Sequence, residues 1–239
     1  MINLITIDEE LLLKNGKLLK STEELISSLA KQGIKIAVIS SKSYHRLHNL
    51  FSGSLENICF VCNDGGLTVF EDNVIDSKVI DRHTLVAFKD TVSRLPGSEI
   101  ILSFKDSDET ISEDGISLFI KDITKLTLHL ENAGIALLSL TPDLHKNGLK
   151  ISNYDENSVE LVRNDAARAA AVAYIRRRFG IFKKETVSFL KSDKSADLIL
   201  HAEVAIASFD ASLELQKKAG HVTESALDDM KLILKALCK

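Results

Sequence analysis

Short apolar runs alternate with amphipathic stretches over the first third of the chain. MINLITI (1–7) is almost continuously apolar and ends at Asp8, a length that suits a strand buried on both faces. Ser21-Thr-Glu-Glu24 then has capping-box spacing, Ser at the cap and Glu three residues later, and predicts a helix reaching Gly33. IKIAVIS (34–40) predicts a second buried strand ending at Ser40. A further helix and NICFVCNDGG (57–66) repeat the alternation. Strand, helix, strand, helix with apolar strands predicts a parallel sheet flanked by helices.

The pattern changes after Asp81. Residues 83–95 predict a helix, and 98–104 and 115–122 two strands. The unit then recurs as a helix over 123–134 and strands over 135–140 and 148–154. Helix-strand-strand twice over suits a small antiparallel sheet with helices on one face. From Val159 the first pattern returns: an Ala-rich helix over 165–181 stopped by Gly180, a strand over 185–190, a short helix over 196–202, a strand over 204–208 and a closing helix capped by Ser225. The expected architecture is α/β: a Rossmann-like core over 1–81 and 159–239 with helices on both faces. An α+β cap (αββαββ) over 82–158 is inserted into it.

Composition narrows the function without choosing it. The 239 residues carry a formal net charge of −4 and no dense basic block, so no nucleic-acid partner is expected. No apolar stretch approaches the roughly 20 residues needed to span a bilayer. The first residues lack the pattern of a secretion signal, so a cytoplasmic protein with no membrane partner is expected. Cys59 and Cys62 have redox or half-zinc spacing, but no second pair completes a four-ligand site, and buried structural thiols are the simpler account.

Ligands of open parallel sheets gather outside the carboxyl ends of the strands. That rule selects Asp8 and Glu10, Ser40, Asn63 and Asp64, and 191–197. Asp8 and Glu10 could supply a nucleophile and a general acid or base, or could start a turn and face solvent. Ser40 could bind a phosphate oxygen or cap the next helix. Asn63-Asp-Gly-Gly66 is a turn signal. Asp193 and Asp197, four apart after an apolar run, have the spacing of a magnesium pair, yet Lys191 and Lys194 lie among them.

Five segments, in order, resemble the motifs of one family: MINLITIDEELLLKNGKLL, GIKIAVISSK, FVCNDGGLTVFEDNVI, VELVRNDAARAAAVAYIRRRFGI and ILHAEVAIASFDASLELQKKAGHVTES. The family is the haloacid dehalogenase superfamily, in its Cof-type branch of small-molecule phosphatases. The resemblance implies an aspartyl-phosphate on Asp8 and acid/base work by Glu10. It implies phosphate binding by Ser40 and Arg168, a substrate cleft near Asn63 and Asp64, and Mg²⁺ held by acidic residues of the fourth motif.

Several positions depart from the family's pattern. Leu11 and Leu12 replace Gly and Thr, and Ser41 and Lys42 replace Gly and Arg. In the gap-free register of the fourth motif, Lys191 and Ser195 stand on the metal aspartates and Lys194 on the Asn. A register slid by two residues instead gives Asp8, Asp193 and Asp197 as metal ligands. The gap-free register agrees with both flanks. It implies a protein with lost or strongly reduced Mg²⁺-dependent activity and no metal cofactor, still able to bind a small phosphorylated metabolite or a protein partner. The slid register implies an active, divergent Mg²⁺-dependent phosphatase of small phosphosugars or phosphoacids.

Overall fold

A computed structural model describes residues 1–53, 55–92, 95, 99–111, 122–131 and 133–237. The opening segment forms β1 (Leu4–Asp8), a small hairpin of β2 (Leu13–Lys14) and β3 (Lys17–Leu18), α1 (Lys20–Lys31), β4 (Lys35–Ile39), α2 (Tyr44–His48), β5 (Ile58–Cys62), β6 (Leu67–Phe70) and β7 (Asn73–Ser77). The middle holds α3 (Arg82–Val92), β8 (Glu99–Ser103), β9 (Asp108–Ile111), β10 (Lys125–His129), α4 (Ala133–Lys146), β11 (Leu149–Tyr154) and β12 (Ser158–Arg163). The chain closes with α5 (Arg168–Phe179), β13 (Thr186–Leu190), β14 (Val204–Ser208), α6 (Leu213–Ala219), β15 (Gly220–Thr223) and α7 (Ala226–Leu237).

The larger sheet has eight strands in the order β15-β14-β13-β1-β4-β5-β6-β7. From β15 to β5 every pairing is parallel, and β6 and β7 add an antiparallel edge that the apolar pattern did not announce. Every residue of β1, β5 and β13 is buried, as strands covered on both faces require. One face packs Leu25, Ile26 and Leu29 of α1 with Met230 of α7. The other packs Val172 and Ile175 of α5 with Leu215 of α6. The central strand β1 therefore delivers Asp8 between β4 and β13, at the carboxyl edge of the sheet.

The middle segment forms its own five-stranded antiparallel sheet, ordered β11-β12-β10-β8-β9, with a separate apolar core beneath α3 and α4. Two predicted elements exchange identity here. Residues 123–134 were expected as helix but contain β10, whose Leu126 and Leu128 point to the core at a period of two. Residues 135–140, expected as strand, lie inside α4, where Ala133, Leu137, Leu140 and Leu144 make a helical stripe. The strand expected over 115–122 falls almost wholly outside the described residues. β12 pairs with β10 and β11, so the return to the larger unit comes after Arg163 and not at the expected 158/159 boundary.

Helix ends differ in one place. Ser21 lies inside α1, whose N-cap is Leu19: the carbonyl of Leu19 accepts from the amides of Thr22 and Glu23, and no side chain caps this end. Gly180 does end α5 in the left-handed conformation, and the Ser225 hydroxyl accepts from the Asp228 amide as a cap should.

Candidate functional site

Four chain segments meet at the end of β1. The turn after β5 takes positive φ at three successive residues, Asn63, Asp64 and Gly65. Gly65 is obligatory: a Cβ there would lie 2.3 Å from the Ala167 carbonyl oxygen. This close approach sets the turn against the start of α5 and brings Asp64 to Arg168.

Arg168 is 7% exposed and its N–H groups all point at protein. Nε and Nη2 donate to Asp64 Oδ1 at 2.9 and 2.7 Å, Nη2 also to Ser41 Oγ at 3.0 Å, and Nη1 to Ser195 Oγ at 2.7 Å and Asp8 Oδ1 at 3.3 Å. Those contacts fill all five donors of a guanidinium. The arginine that the resemblance assigns to phosphate binding is instead an internal cation between two buried carboxylates.

Asp8 is equally enclosed. Its Oδ1 accepts from Ser195 Oγ at 2.5 Å besides Arg168, and its Oδ2 accepts from the backbone amides of Lys191 and Ser192 at 2.7 and 2.9 Å. Ser195, fully buried, thus joins nucleophile position and guanidinium. Lys191 contributes its amide only. Its ammonium turns away to Asp210 at 2.6 Å and, with Ser208, holds the Asp210 carboxyl below the usual carboxylate range. Lys191, which stands on a metal aspartate in the gap-free register, thus brings no side-chain charge to Asp8, and Arg168 does.

The slid register is not assembled. Asp193 is exposed and accepts from Ser212, and Asp197 is exposed on the short 3₁₀ helix beyond it. Among the described residues no group of three or more His, Cys, Asp or Glu side chains could hold a metal ion. With Asp8 accepting from four donors, one of them cationic, the residues present do not fit Mg²⁺.

The first motif is rearranged too. A single 3₁₀ turn, Glu9–Leu11, follows β1 and carries Glu9 inward while Glu10 stays exposed at the cleft. Leu11 and Leu12, which replace Gly and Thr of the family's pattern, both keep negative φ; Leu12 has φ −88° and its side chain enters the core. Glu9, which the motif position gave no reason to select, accepts from Ser40 Oγ and from Lys42 Nζ. Ser40 is buried and its Oγ in turn accepts from the Lys42 amide at 2.9 Å.

These side chains line a cleft of about 380 Å³ formed by Asp8, Glu9, Glu10, Ser40, Lys42, Arg168 and Lys194, with Asn153 from β11. A second recess of about 200 Å³ shares Ser41, Lys42 and Asn153 and runs beneath the smaller sheet. Lys125 of β10, 6% exposed, spans the two sheets' units by donating to the Ser41 carbonyl at 3.1 Å and to Glu160 at 2.8 Å. Asn63 was expected in the cleft but is fully buried, donating to Thr124 Oγ1 at 2.7 Å, and Asp64 lies behind Arg168. Cys59 and Cys62 are both fully buried; burial pushes the Cys59 thiol up to about 12 and the Cys62 thiol higher still. Among the described residues no helix is long and apolar enough to cross a membrane.

A family model for haloacid dehalogenase-like hydrolases matches residues 4–115. No curated protein matches the chain significantly. Solved structures align over nearly its whole length at low identity. A protein from Eubacterium rectale aligns with TM-score 0.84 and 16% identity, over 97% of this chain and 99% of the other. TM0651 from Thermotoga maritima aligns with TM-score 0.80 and 16% identity, over 99% and 97%. BT4131, a sugar phosphatase of subclass IIB of that superfamily, aligns with TM-score 0.72 and 16% identity, over 98% and 97%. At these identities the likeness is one of fold.

Proposed function

From a chain with the haloacid dehalogenase-like phosphatase fold in its Cof-type form, we propose a protein that binds a small phosphorylated metabolite without hydrolysing it through Mg²⁺. Proteins of this fold typically use that ion. The observation that carries the reading is the state of Asp8. A nucleophilic carboxylate must present a free oxygen to phosphorus. Here Oδ1 is held by Ser195 and Arg168 and Oδ2 by two amides. Charge-assisted hydrogen bonds of this kind stabilise the anion and lower its reactivity. Asp8 so held is not free to form an aspartyl-phosphate.

Binding falls to what the cleft still offers. Lys42 and Lys194 are half to one-third exposed along its wall, and Asn153 and Glu10 border the same space. The volume suits a ligand of a few tens of atoms or fewer, and the ammonium groups suit its phosphoryl end.

Purified protein with Mg²⁺ and a panel of phosphorylated metabolites is expected to release no phosphate above the uncatalysed background, while at least one metabolite raises the melting temperature. Phosphate release that disappears in Asp8→Asn would overturn the reading in favour of a divergent active phosphatase.

A further inference from the structure

The cleft contains a ready anion-binding pair whose anion comes from the chain itself. Ser40 Oγ and Lys42 Nζ, one hydroxyl and one ammonium, converge on the two oxygens of a single carboxylate, that of Glu9. The arrangement is directed. The Lys42 amide occupies an acceptor position of Ser40 Oγ at 2.9 Å, which leaves the hydroxyl proton to point at Glu9. The Ser40 carbonyl accepts from the Asp64 amide, fixing the loop that carries both donors.

Location separates this pair from an ordinary structural ion pair. Glu9 has a side chain 5% exposed, but Lys42 is 46% exposed, and both line the cleft beside Asp8. A buried carboxylate with a half-exposed cation on its open side is a contact that another anion can contest. We propose that Glu9 is a resident anion, holding Ser40 and Lys42 in place of a phosphoryl group. A phosphorylated ligand then gains these two donors only where Glu9 yields them.

The consequence is a cleft whose affinity is set by an internal competitor. An incoming dianion meets donors already satisfied, and it meets a like charge in a low-dielectric setting, where repulsion is strong. With Glu9 replaced by a neutral side chain, both obstacles fall together. This inference rests on reading the cleft as one that receives a phosphoryl group, and its test does not depend on turnover.

The test is calorimetric titration of the full chain with inorganic phosphate, in wild type, Glu9→Gln and the double variant Glu9→Gln/Lys42→Met. Glu9→Gln is expected to bind phosphate about tenfold or more tightly than wild type, a change of about 1.4 kcal/mol, and the double variant to lose that gain. Equal affinity in wild type and a folded Glu9→Gln would overturn the proposal. So would a gain that survives in the double variant, since the anion would then sit elsewhere. Glu9→Asp covers the case in which Gln prevents folding: its shorter arm releases Ser40 and Lys42 while the charge stays, so a smaller rise in phosphate affinity is expected, and no rise would overturn the proposal. Phosphate release by wild type, the result that defeats a non-hydrolysing cleft, is read in a separate assay.

Discussion

Replacing Arg168 by Met removes the internal cation while keeping the unbranched stem of the side chain. Its two carboxylate partners lose unequally. Asp8 forfeits one 3.3 Å contact and keeps Ser195 and two amides, whereas Asp64 forfeits both of its guanidinium bonds and keeps Ser41. Lys194, 3.7 Å from Asp64 Oδ2 and one-third exposed, can move closer and compensate in part. Breaking a buried pair by removing one partner costs about 3–5 kcal/mol, and this compensation puts the expected loss near the lower figure. For a chain of this size, about 3 kcal/mol corresponds to a fall of roughly 6–12 °C in melting temperature. Thermal and urea unfolding followed by circular dichroism measure it. Adding Asp64→Asn removes the orphaned charge and is expected to recover about 1–2 kcal/mol of the loss. Lys191→Ala is the contrast: its pair with Asp210 is open to water, and its loss is expected at about 0–1 kcal/mol. An Arg168→Met loss under about 1 kcal/mol, or a double variant no more stable than the single, would refute the reasoning.

Two further outcomes follow from the same geometry. Gly65→Ala must place a Cβ 2.3 Å from the Ala167 carbonyl at φ +91° and is expected to cost roughly 3 kcal/mol or more. Gly16→Ala, at φ +73° with nothing within 4 Å, should cost only about 1 kcal/mol, and urea midpoints compare the two. Cys59, its thiol pushed up to about 12, is thiolate in about one molecule in ten thousand at pH 8. Native protein is therefore expected to leave Cys59 and Cys62 unalkylated, and peptide mass spectrometry after unfolding to find both modified.

The parallel core was legible because its strands are apolar on both faces and end in polar residues that mark the sheet's edge. The antiparallel edge formed by β6 and β7 was harder to read. NVIDS is largely exposed, so burial left no periodic trace in it. In the smaller sheet, short apolar runs carried both periods at once. Only the partners decided between them: β10 lies between β8 and β12, and α4 offers a stripe that fits the sheet beneath it. At the site, Asp8, Ser40, Asp64, Arg168 and Ser195 were all selected and do converge. Their relations were not legible. Arg168 turns inward to carboxylates 104 and 160 residues away in sequence, a pairing that no local pattern announces. Glu10 was chosen over Glu9 by motif position, while a local 3₁₀ turn decides which carboxylate faces inward.

Every donor to Asp8 comes from the far side of the inserted sheet, between 160 and 187 residues along the chain. During folding, β1 can pair with β4 early, since little chain separates them. Its other edge then stays bare, with an unsatisfied aspartate at the end. A stray strand docking there would bury that charge without partners, whereas β13 arrives with two amides and a serine already placed to receive it. Loop-closure entropy grows only slowly with length, so so distant a partner remains affordable. The carboxylate at the cleft floor is thus fully satisfied only once β13 completes the sheet.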